Sequence, residues 1–332
     1  MENDRKTPCY KFKINFSIMN LTKTILLLGL VILGIGVFSV AISDNIKKDK
    51  EELPSSELKT YKNNLATPPT PNNISFCEEK VPIDIYWVKE GIEKELIIHC
   101  YQHSKTIQTF KRSTRFFPEI EKILQEEGVP LDMKYLCVAE SNLENVVSPA
   151  KASGYWQFMD PTGRSYGLEI NAFVDERYHI EKSTRAACTY LKALKQKFGS
   201  WTLAAAAYNM GENGLQRNIT EQGISSYWDL YLNTETSRYL SRIISYKLMF
   251  EDRNQYDIQI KHSEYYQPIP YKEITVDTSI SNLMDFAKSQ NILYRELKEL
   301  NPWLRSKELQ NKGKSYVLRI PLKSGYKYEE LF

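Results

Sequence analysis

One carboxylate in this sequence lies where an apolar side chain is expected. Met133, Leu136 and Leu143 form an apolar stripe with helical spacing, and Glu140 takes the position that completes it. Apolar surroundings disfavour an ionised carboxylate and raise its pKa, as a general acid working near neutral pH requires. Taken alone, the position favours a salt bridge at a helix boundary. Glu140 is therefore a candidate acid, and its neighbours must decide its role.

A short loop rich in aromatic residues follows this helix. After Ser148-Pro149 comes a glycine, Gly154, and then the run Tyr155 to Met159. Glycine permits backbone angles that other residues avoid, so the chain is expected to turn tightly here. The sequence predicts an acid, a tight loop and an aromatic wall close together.

A third motif lies at the end of a helix that begins after Ser200. Four successive alanines, Ala204 to Ala207, favour close packing against a neighbouring helix. Tyr208 and Asn209 follow, just before Gly211. These two side chains can hydrogen-bond a sugar, or Asn209 can simply end the helix.

Together, these motifs resemble the successive motifs of the soluble lytic transglycosylase (SLT) catalytic domain. The resemblance covers roughly residues 82–250 and is greatest for the membrane-bound type D group of that family. It implies a mainly α, lysozyme-like domain that acts on the glycan strands of bacterial peptidoglycan. The motifs that carry it are Glu140-Ser141, Gly154 to Met159, and Ala207-Tyr208-Asn209 with Gly211-Glu212.

The resemblance also implies a role for individual residues. Glu140 would protonate the glycosidic oxygen between N-acetylmuramic acid and N-acetylglucosamine. As carboxylate it would then accept the proton of the muramyl 6-hydroxyl, which closes a 1,6-anhydro ring. Ser141 would orient the carboxyl group or the muramyl substituent. The residues expected to shape the cleft or to hydrogen-bond near Glu140 are Gln157, Phe158, Tyr208, Asn209 and Tyr239. By periodicity alone Tyr239 is a core residue, and Gln157 can equally be an amide that stabilises its loop.

Two alternatives remain at this point. A muramidase would hydrolyse the same bond with water and needs a second carboxylate across the cleft. The candidates for that carboxylate are Asp160, Asp175, Glu212 and Glu235. The other alternative is a non-catalytic protein that binds peptidoglycan.

The carboxyl-terminal part has the pattern of a small separate module. A strand near residues 273–276, helices near 281–289 and 294–300, and a strand near 316–320 predict a βααβ unit over 272–323. This unit is similar to the LysM module, which binds chains containing N-acetylglucosamine. Asp277 stands where that module has a glycine, so either sugar binding or a purely structural role is expected.

The amino-terminal part predicts export. A basic segment, 1–24, precedes an apolar segment, 25–43, which is a signal peptide or a membrane anchor. A polar, proline-rich linker is expected over 44–82, the catalytic domain over 83–252 and a second linker over 253–271. We therefore expect an exported bacterial protein, either anchored in the inner membrane or released into the periplasm.

Composition and cysteine spacing bear on whether nucleic acid, a metal or a cofactor is expected as a partner. A net charge of +3 does not indicate nucleic acid as a partner. The cysteine spacing fits no zinc motif, and Cys137 and Cys188 lie in predicted helices, where free thiols are commonly buried. The sequence predicts no metal and no cofactor.

Overall fold

Helices make up most of the described chain. The structure, a computed structural model, describes residues 66–332; the predicted basic and apolar amino-terminal segments, 1–24 and 25–43, lie outside them. The α-helices of the part before residue 252 are α1 Tyr86–Tyr101, α2 His103–Glu126, α3 Met133–Ser141, α4 Asp160–Ser165, α5 Ile180–Phe198, α6 Trp201–Met210, α7 Glu212–Gln222 and α8 Thr234–Glu251. The mainly α fold expected from the sequence is confirmed.

Helix α6 packs against both α5 and α8. Its four alanines, Ala204 to Ala207, are fully buried, and their small side chains let the neighbouring helices come close. Ser200 caps its first turn by accepting a hydrogen bond from the Leu203 amide at 3.1 Å. Gly199, at a φ of +84°, ends α5 just before it.

Helix α3 is short and almost wholly buried, and it contacts α2 and α8. Met133, Leu136 and Leu143 all lie in the core, as the apolar stripe predicted. The helix stops because Asn142 and Leu143 adopt left-handed backbone angles, with φ of +52° and +60°. Glu140 is therefore in the last turn of a helix anchored in the core.

Ordered packing begins before the predicted domain boundary at residue 83. Ser75–Phe76 and Glu79–Lys80 form a short hairpin, strands β1 and β2, and Ile74, Phe76 and Val81 are buried in the core. Glu79 also accepts hydrogen bonds from the Trp201 and Thr202 amides at the start of α6. The sequence predicted a linker over 44–82, but the last part of this range, residues 74–81, is packed against the domain. Its apolar residues are too few to form a pattern, and only their contacts reveal the packing.

The predicted βααβ unit is also present. Strand β3, Tyr271–Val276, pairs antiparallel with β4, Tyr316–Pro321, from Tyr271 opposite Pro321 to Val276 opposite Tyr316. Helices α9, Leu283–Ser289, and α10, Tyr294–Leu300, lie between them in sequence. Leu283, Leu297 and Leu318 belong to its core and are fully buried.

Within residues 66–332, none of the helices combines the length and apolar character needed to cross a membrane. The same range contains no cluster of histidine, cysteine and acidic side chains suited to a metal ion. Cys137 and Cys188 are buried free thiols in α3 and α5, as expected.

Candidate active site

Glu140 is half-buried in the last turn of α3 and is bonded to a residue of α8. The hydroxyl of Tyr239 donates a hydrogen bond to its Oε1 atom. Burial raises the pKa of Glu140 to about 7, against the lowering effects of the Tyr239 bond and of Arg242; Glu235 raises it further. Near neutral pH the carboxyl group is therefore present in both protonation states. Such a group can donate a proton and then take one back.

Tyr239 is both a core residue and a partner of the acid. Its ring is 1% exposed, as periodicity predicted, and its hydroxyl reaches Glu140, as the resemblance implied. Burial, followed by the nearby carboxylate, raises the pKa of this phenol well above its usual value. Tyr239 therefore stays protonated and remains a hydrogen-bond donor.

A buried ion cluster lies behind this pair, and sequence reasoning missed it. Glu95 of α1 is 1% exposed and accepts from Arg238 Nε at 2.6 Å, while Arg242 Nε lies 3.8 Å from it. Both arginines are on α8, the helix of Tyr239. The signal was available, because Glu95 lies beside Ile92 and Leu96 on the buried face of α1. This is the same kind of displaced carboxylate as Glu140.

The loop after α3 is held by backbone and amide hydrogen bonds. Ser153 pairs with both Val147 and Phe158, and Gly154 takes a φ of +83°. Gln157 has a φ of +48°, and its side-chain amide donates to Val146 O at 3.0 Å and Gly154 O at 2.7 Å. The structure thus gives Gln157 the loop-stabilising contacts that the sequence left as an alternative.

The aromatic side chains of this loop belong to the core and do not form an exposed wall. Tyr155, Trp156 and Phe158 are 7%, 0% and 2% exposed. Trp156 Nε1 donates to Thr184 Oγ1 at 2.8 Å, and the Phe158 ring packs near Tyr208, with centroids 6.0 Å apart. The sequence pattern did not distinguish a wall from an anchor, because both need bulky rings. Phe158 therefore anchors the loop to the core.

Tyr208 and Asn209 connect the end of α6 to the other parts of the site. The Tyr208 hydroxyl donates to Trp156 O at 2.7 Å, and Asn209 Oδ1 accepts from Thr236 Oγ1 of α8 at 2.8 Å. Both residues are half-buried, so part of each side chain faces solvent. Ser141 differs: it is 3% exposed, and its hydroxyl donates to Cys137 O at 3.2 Å within α3.

The candidate second carboxylates are placed differently from one another. Asp160, Asp175 and Glu212 form ion pairs with Arg164, Arg177 and Lys197 respectively. Glu235, in the first turn of α8, is exposed and forms no ion pair within the described residues. It is also the one of the four whose charge affects the pKa of Glu140.

A second group that the sequence did not reveal supports the loop from outside. Asp175 binds Arg177 through both carboxylate oxygens, at 2.9 and 2.7 Å. Arg177 Nη1 then donates to Phe158 O at 3.2 Å and to Lys151 O at 3.3 Å. This pair joins the two ends of the loop, and only the fold brings it there.

Comparison with known proteins agrees with these features. Residues 119–231 match the family described as the transglycosylase SLT domain, and residues 272–324 match the soluble lytic transglycosylase C-terminal LysM-like domain. Membrane-bound lytic murein transglycosylase D of Escherichia coli, from strain K12 and from strain CFT073, is 25% identical over 242 residues, which is 71% of this chain and 52% of the relative.

A third relative is a putative tributyltin chloride resistance protein of Alteromonas sp. strain M-1. It is 30% identical over 117 residues, 34% of this chain and 56% of that protein. The chain spans about half the length of the curated relatives it matches.

Proposed function

We propose, from the premise that residues 119–231 form an SLT domain followed by a LysM-like domain, that this protein is a lytic transglycosylase of peptidoglycan. Its reaction cleaves the β-1,4 bond between N-acetylmuramic acid and N-acetylglucosamine and leaves 1,6-anhydromuramyl ends. The observation that carries the proposal is Glu140, a half-buried carboxyl bonded to Tyr239 with a pKa near 7.

The reaction needs one acid/base group. Protonated Glu140 donates its proton to the glycosidic oxygen, the bond from that oxygen to muramyl C1 breaks, and the N-acetylglucosamine side leaves as an alcohol. The muramyl 6-hydroxyl oxygen bonds to C1, and its proton passes to the Glu140 carboxylate. The enzyme returns to its starting protonation state. Because the attacking hydroxyl belongs to the same sugar, proximity lowers the barrier.

Tyr239 suits both steps. As a donor it stabilises the carboxylate that forms after the first proton transfer, while burial keeps the protonated form available. Tyr208 and Asn209, which are half-buried, would contact the sugar, and Gln157 and Phe158 hold the loop beside it. Ser141, next to Glu140, supports the last turn of α3 through its bond to Cys137.

The first test is product analysis with the purified full-length protein. Mass spectrometry of the muropeptides released from peptidoglycan should show anhydromuramyl ends for the wild type and no products for Glu140→Gln. Glu140→Gln keeps the size of the side chain and removes its titratable group. Reducing ends from the wild type, or equal release by both proteins, would refute the proposal.

A hydrolytic muramidase is the second candidate, and Glu235 is the observation that favours it. It is the carboxylate that is exposed, unpaired within residues 66–332 and close enough to influence Glu140. In a hydrolase, Glu235→Gln would abolish the release of reducing ends. In a transglycosylase the same variant keeps anhydromuramyl products and changes the rate only a few-fold, since it alters the pKa of Glu140 alone.

We further propose that the protein acts outside the cytoplasmic membrane, on the glycan strands of the cell wall. The apolar segment 25–42 and the basic residues before it support export, and uncleaved it would hold the enzyme at the membrane. Protease treatment of intact spheroplasts tests this location: residues 66–332 should be degraded. Protection of that part would place it on the cytoplasmic side.

A further inference from the structure

We propose that the carboxyl-terminal module, residues 272–324, is a positioning part of the active site. It holds residues 169–179, termed here the bridging segment, and this segment holds the loop of residues 151–158. The inference deepens the proposed function, since it assigns the module a role in catalysis in addition to any contact with glycan.

The module extends the bridging segment by backbone pairing. The Asp175 amide donates to Trp303 O at 2.9 Å, and the Arg305 amide donates to Phe173 O at 2.7 Å. Val174 and Leu304 are bridge partners between these bonds, and both side chains are fully buried. The core of the module therefore includes a residue of the catalytic domain.

Side chains strengthen the contact at both ends of the segment. Glu169 accepts from Lys314 Nζ and from the Tyr316 hydroxyl, each at 3.1 Å. At the other end, Trp303 stacks on His179 with ring centroids 5.7 Å apart, and the Arg305 guanidinium lies 4.2 Å from the Tyr178 ring centroid.

A bidentate ion pair ties the module to the helices of the catalytic domain as well. Arg319 donates to Glu119 of α2 at 2.6 and 3.0 Å, and it lies 3.7 Å from Glu181 of α5. Its side chain is 12% exposed, so water screens this pair only weakly.

Two residues of the bridging segment, Asp175 and Arg177, connect the module to the loop of residues 151–158. Asp175, whose amide is bonded to the module, orients the Arg177 guanidinium that binds Phe158 O and Lys151 O. Arg177 and Asp175 are 8% and 7% exposed. Gly154 lies directly against the Arg177 carbonyl, where a Cβ atom would be 1.9 Å away.

The loop is also bonded to α3, since Cys137 Sγ donates to Tyr155 O at 3.4 Å about one turn before Glu140. A shift of the bridging segment is therefore expected to move a loop that contacts the helix of Glu140. A misplacement of about 1 Å in a substrate-binding element can lower turnover by roughly 100-fold. Trp303, Leu304 and Arg319 are positioning residues in this scheme, and they act through Asp175 and Arg177.

The experiment uses full-length protein and compares Arg319→Glu with Arg295→Glu. Arg319→Glu places a negative charge among Glu119, Glu181 and Glu273. Arg295 is an exposed residue of the same module, and among residues 66–332 its one ion pair is with Glu299. Hydrogen exchange should accelerate at residues 173–178 and 151–158 in Arg319→Glu alone. The kcat should fall roughly 10- to 100-fold. Adding Glu119→Arg should partly restore both the slow hydrogen exchange and the kcat.

A double-mutant cycle with Arg177→Met tests the route. If the module acts through Arg177, the double variant Arg319→Glu/Arg177→Met is no slower than Arg177→Met alone. Effects on kcat that multiply would overturn the proposal. Faster hydrogen exchange at residues 303–305 without faster exchange at 151–158 would overturn it too. Because hydrogen exchange does not depend on catalysis, this test remains valid even if the protein proves to be a hydrolase or inactive.

Leu304→Asp provides a second, stronger disruption should Arg319→Glu leave the module in place. A charge at this fully buried position separates or unfolds the module, and either event removes its hold on the bridging segment. Unchanged exchange in residues 151–158 of this variant would show that the module has no positioning role.

Discussion

At the scale of single residues, the proposed chemistry rests on the pairing of Glu140 with Tyr239. Burial raises the pKa of the Glu140 carboxyl, and the phenol opposes this effect by donating a hydrogen bond to the carboxylate. Together these opposing influences give Glu140 a pKa of about 7. The sequence indicated Glu140 from its place in an apolar stripe, but it did not show the balance.

Removal of the Tyr239 hydroxyl should disturb this balance in a defined direction. In Tyr239→Phe the carboxylate loses a donor, so the pKa of Glu140 rises further above 7. The acid form then persists to higher pH, and the alkaline limb of the pH profile of kcat/KM moves upward while the maximal rate falls about 10-fold. Tyr246→Phe, which loses a hydroxyl bonded to Asn142, is the matched control. A downward shift in Tyr239→Phe would contradict this account.

The Glu140 carboxyl group should lower the free energy of unfolding at alkaline pH. Its folded pKa of about 7 exceeds the model-peptide value of 4.5, so the protonated form favours folding below pH 4.5 and this contribution is lost as pH rises through 7. The variant Glu140→Gln has no ionisable group at this position, so it avoids this loss of stability at high pH. We expect it to raise the free energy of unfolding by about 1 to 3 kcal/mol at pH 8 and far less at pH 4. Urea denaturation at both pH values measures this, and an equal effect at both would disprove it.

At the scale of elements, one loop is fixed from three directions. Tyr208 at the end of α6 holds the Trp156 carbonyl, Gln157 closes the loop on itself, and Arg177 binds the Phe158 carbonyl from outside. Each partner comes from a different part of the chain. These contacts hold the loop against the rest of the domain. The sequence predicted a tight aromatic loop near the acid but not the partners that hold it.

Gly154 tests how closely the loop and the bridging segment approach. In Gly154→Ala the new methyl group would lie 1.9 Å from the Arg177 carbonyl oxygen, in addition to the strain of a φ of +83°. Gly167 has a φ of +86°, and a Cβ atom added there would meet no other atom of residues 66–332 within 4 Å, so Gly167→Ala carries the backbone strain alone. We expect about 1 kcal/mol of destabilisation for Gly167→Ala and at least 2 kcal/mol more for Gly154→Ala. Similar melting temperatures for both variants would refute the close approach.

At the scale of the whole described chain, residues 66–332 form one compact unit that contains both domains. The carboxyl-terminal module shares its core with Val174 and Tyr178 of the catalytic part. The predicted linker over 253–271 packs as well: the Tyr266 amide donates to Lys111 O of α2 at 2.9 Å, and Tyr265 is 6% exposed. The catalytic domain and the module are therefore joined by contacts as well as by the chain.

Two buried histidines should make this unit sensitive to acid. His99 stacks on Tyr246 in the catalytic domain, and His179 stacks on Trp303 at the module. Burial lowers both pKa values from 6.5 to about 3. Both side chains fold neutral, so their contribution is present above pH 6.5 and is lost as pH falls toward 3.

Below pH 6.5, we expect the free energy of unfolding to fall with pH because both histidines must be protonated on unfolding. The variant His179→Gln should remove about half of this dependence. Denaturant unfolding between pH 8 and pH 4.5 measures the slope, with His262→Gln, an exposed histidine, as the control. An unchanged slope in His179→Gln would show that His179 folds in its charged form.

The sequence alone determined the main elements and indicated the candidate acid, Glu140. Helical spacing, the Ser200 cap and the Gly199 stop are local signals, because each depends on residues within a few positions of one another. The displacement of a leucine by Glu140 is equally local. These features predicted the mainly α catalytic domain, the βααβ module and the candidate catalytic residue.

Only the tertiary structure decided which side chains meet the acid and what positions the loop. Tyr239 lies 99 residues from Glu140, and Glu95 lies 143 residues from Arg238. The Trp303 carbonyl and the Asp175 amide are far apart in sequence as well. Periodicity shows that such a side chain is buried but not what it contacts, because burial depends on one face of a helix and contact depends on the packing of several helices. For the same reason the aromatic loop looked like a cleft wall in sequence and became a core anchor in the fold.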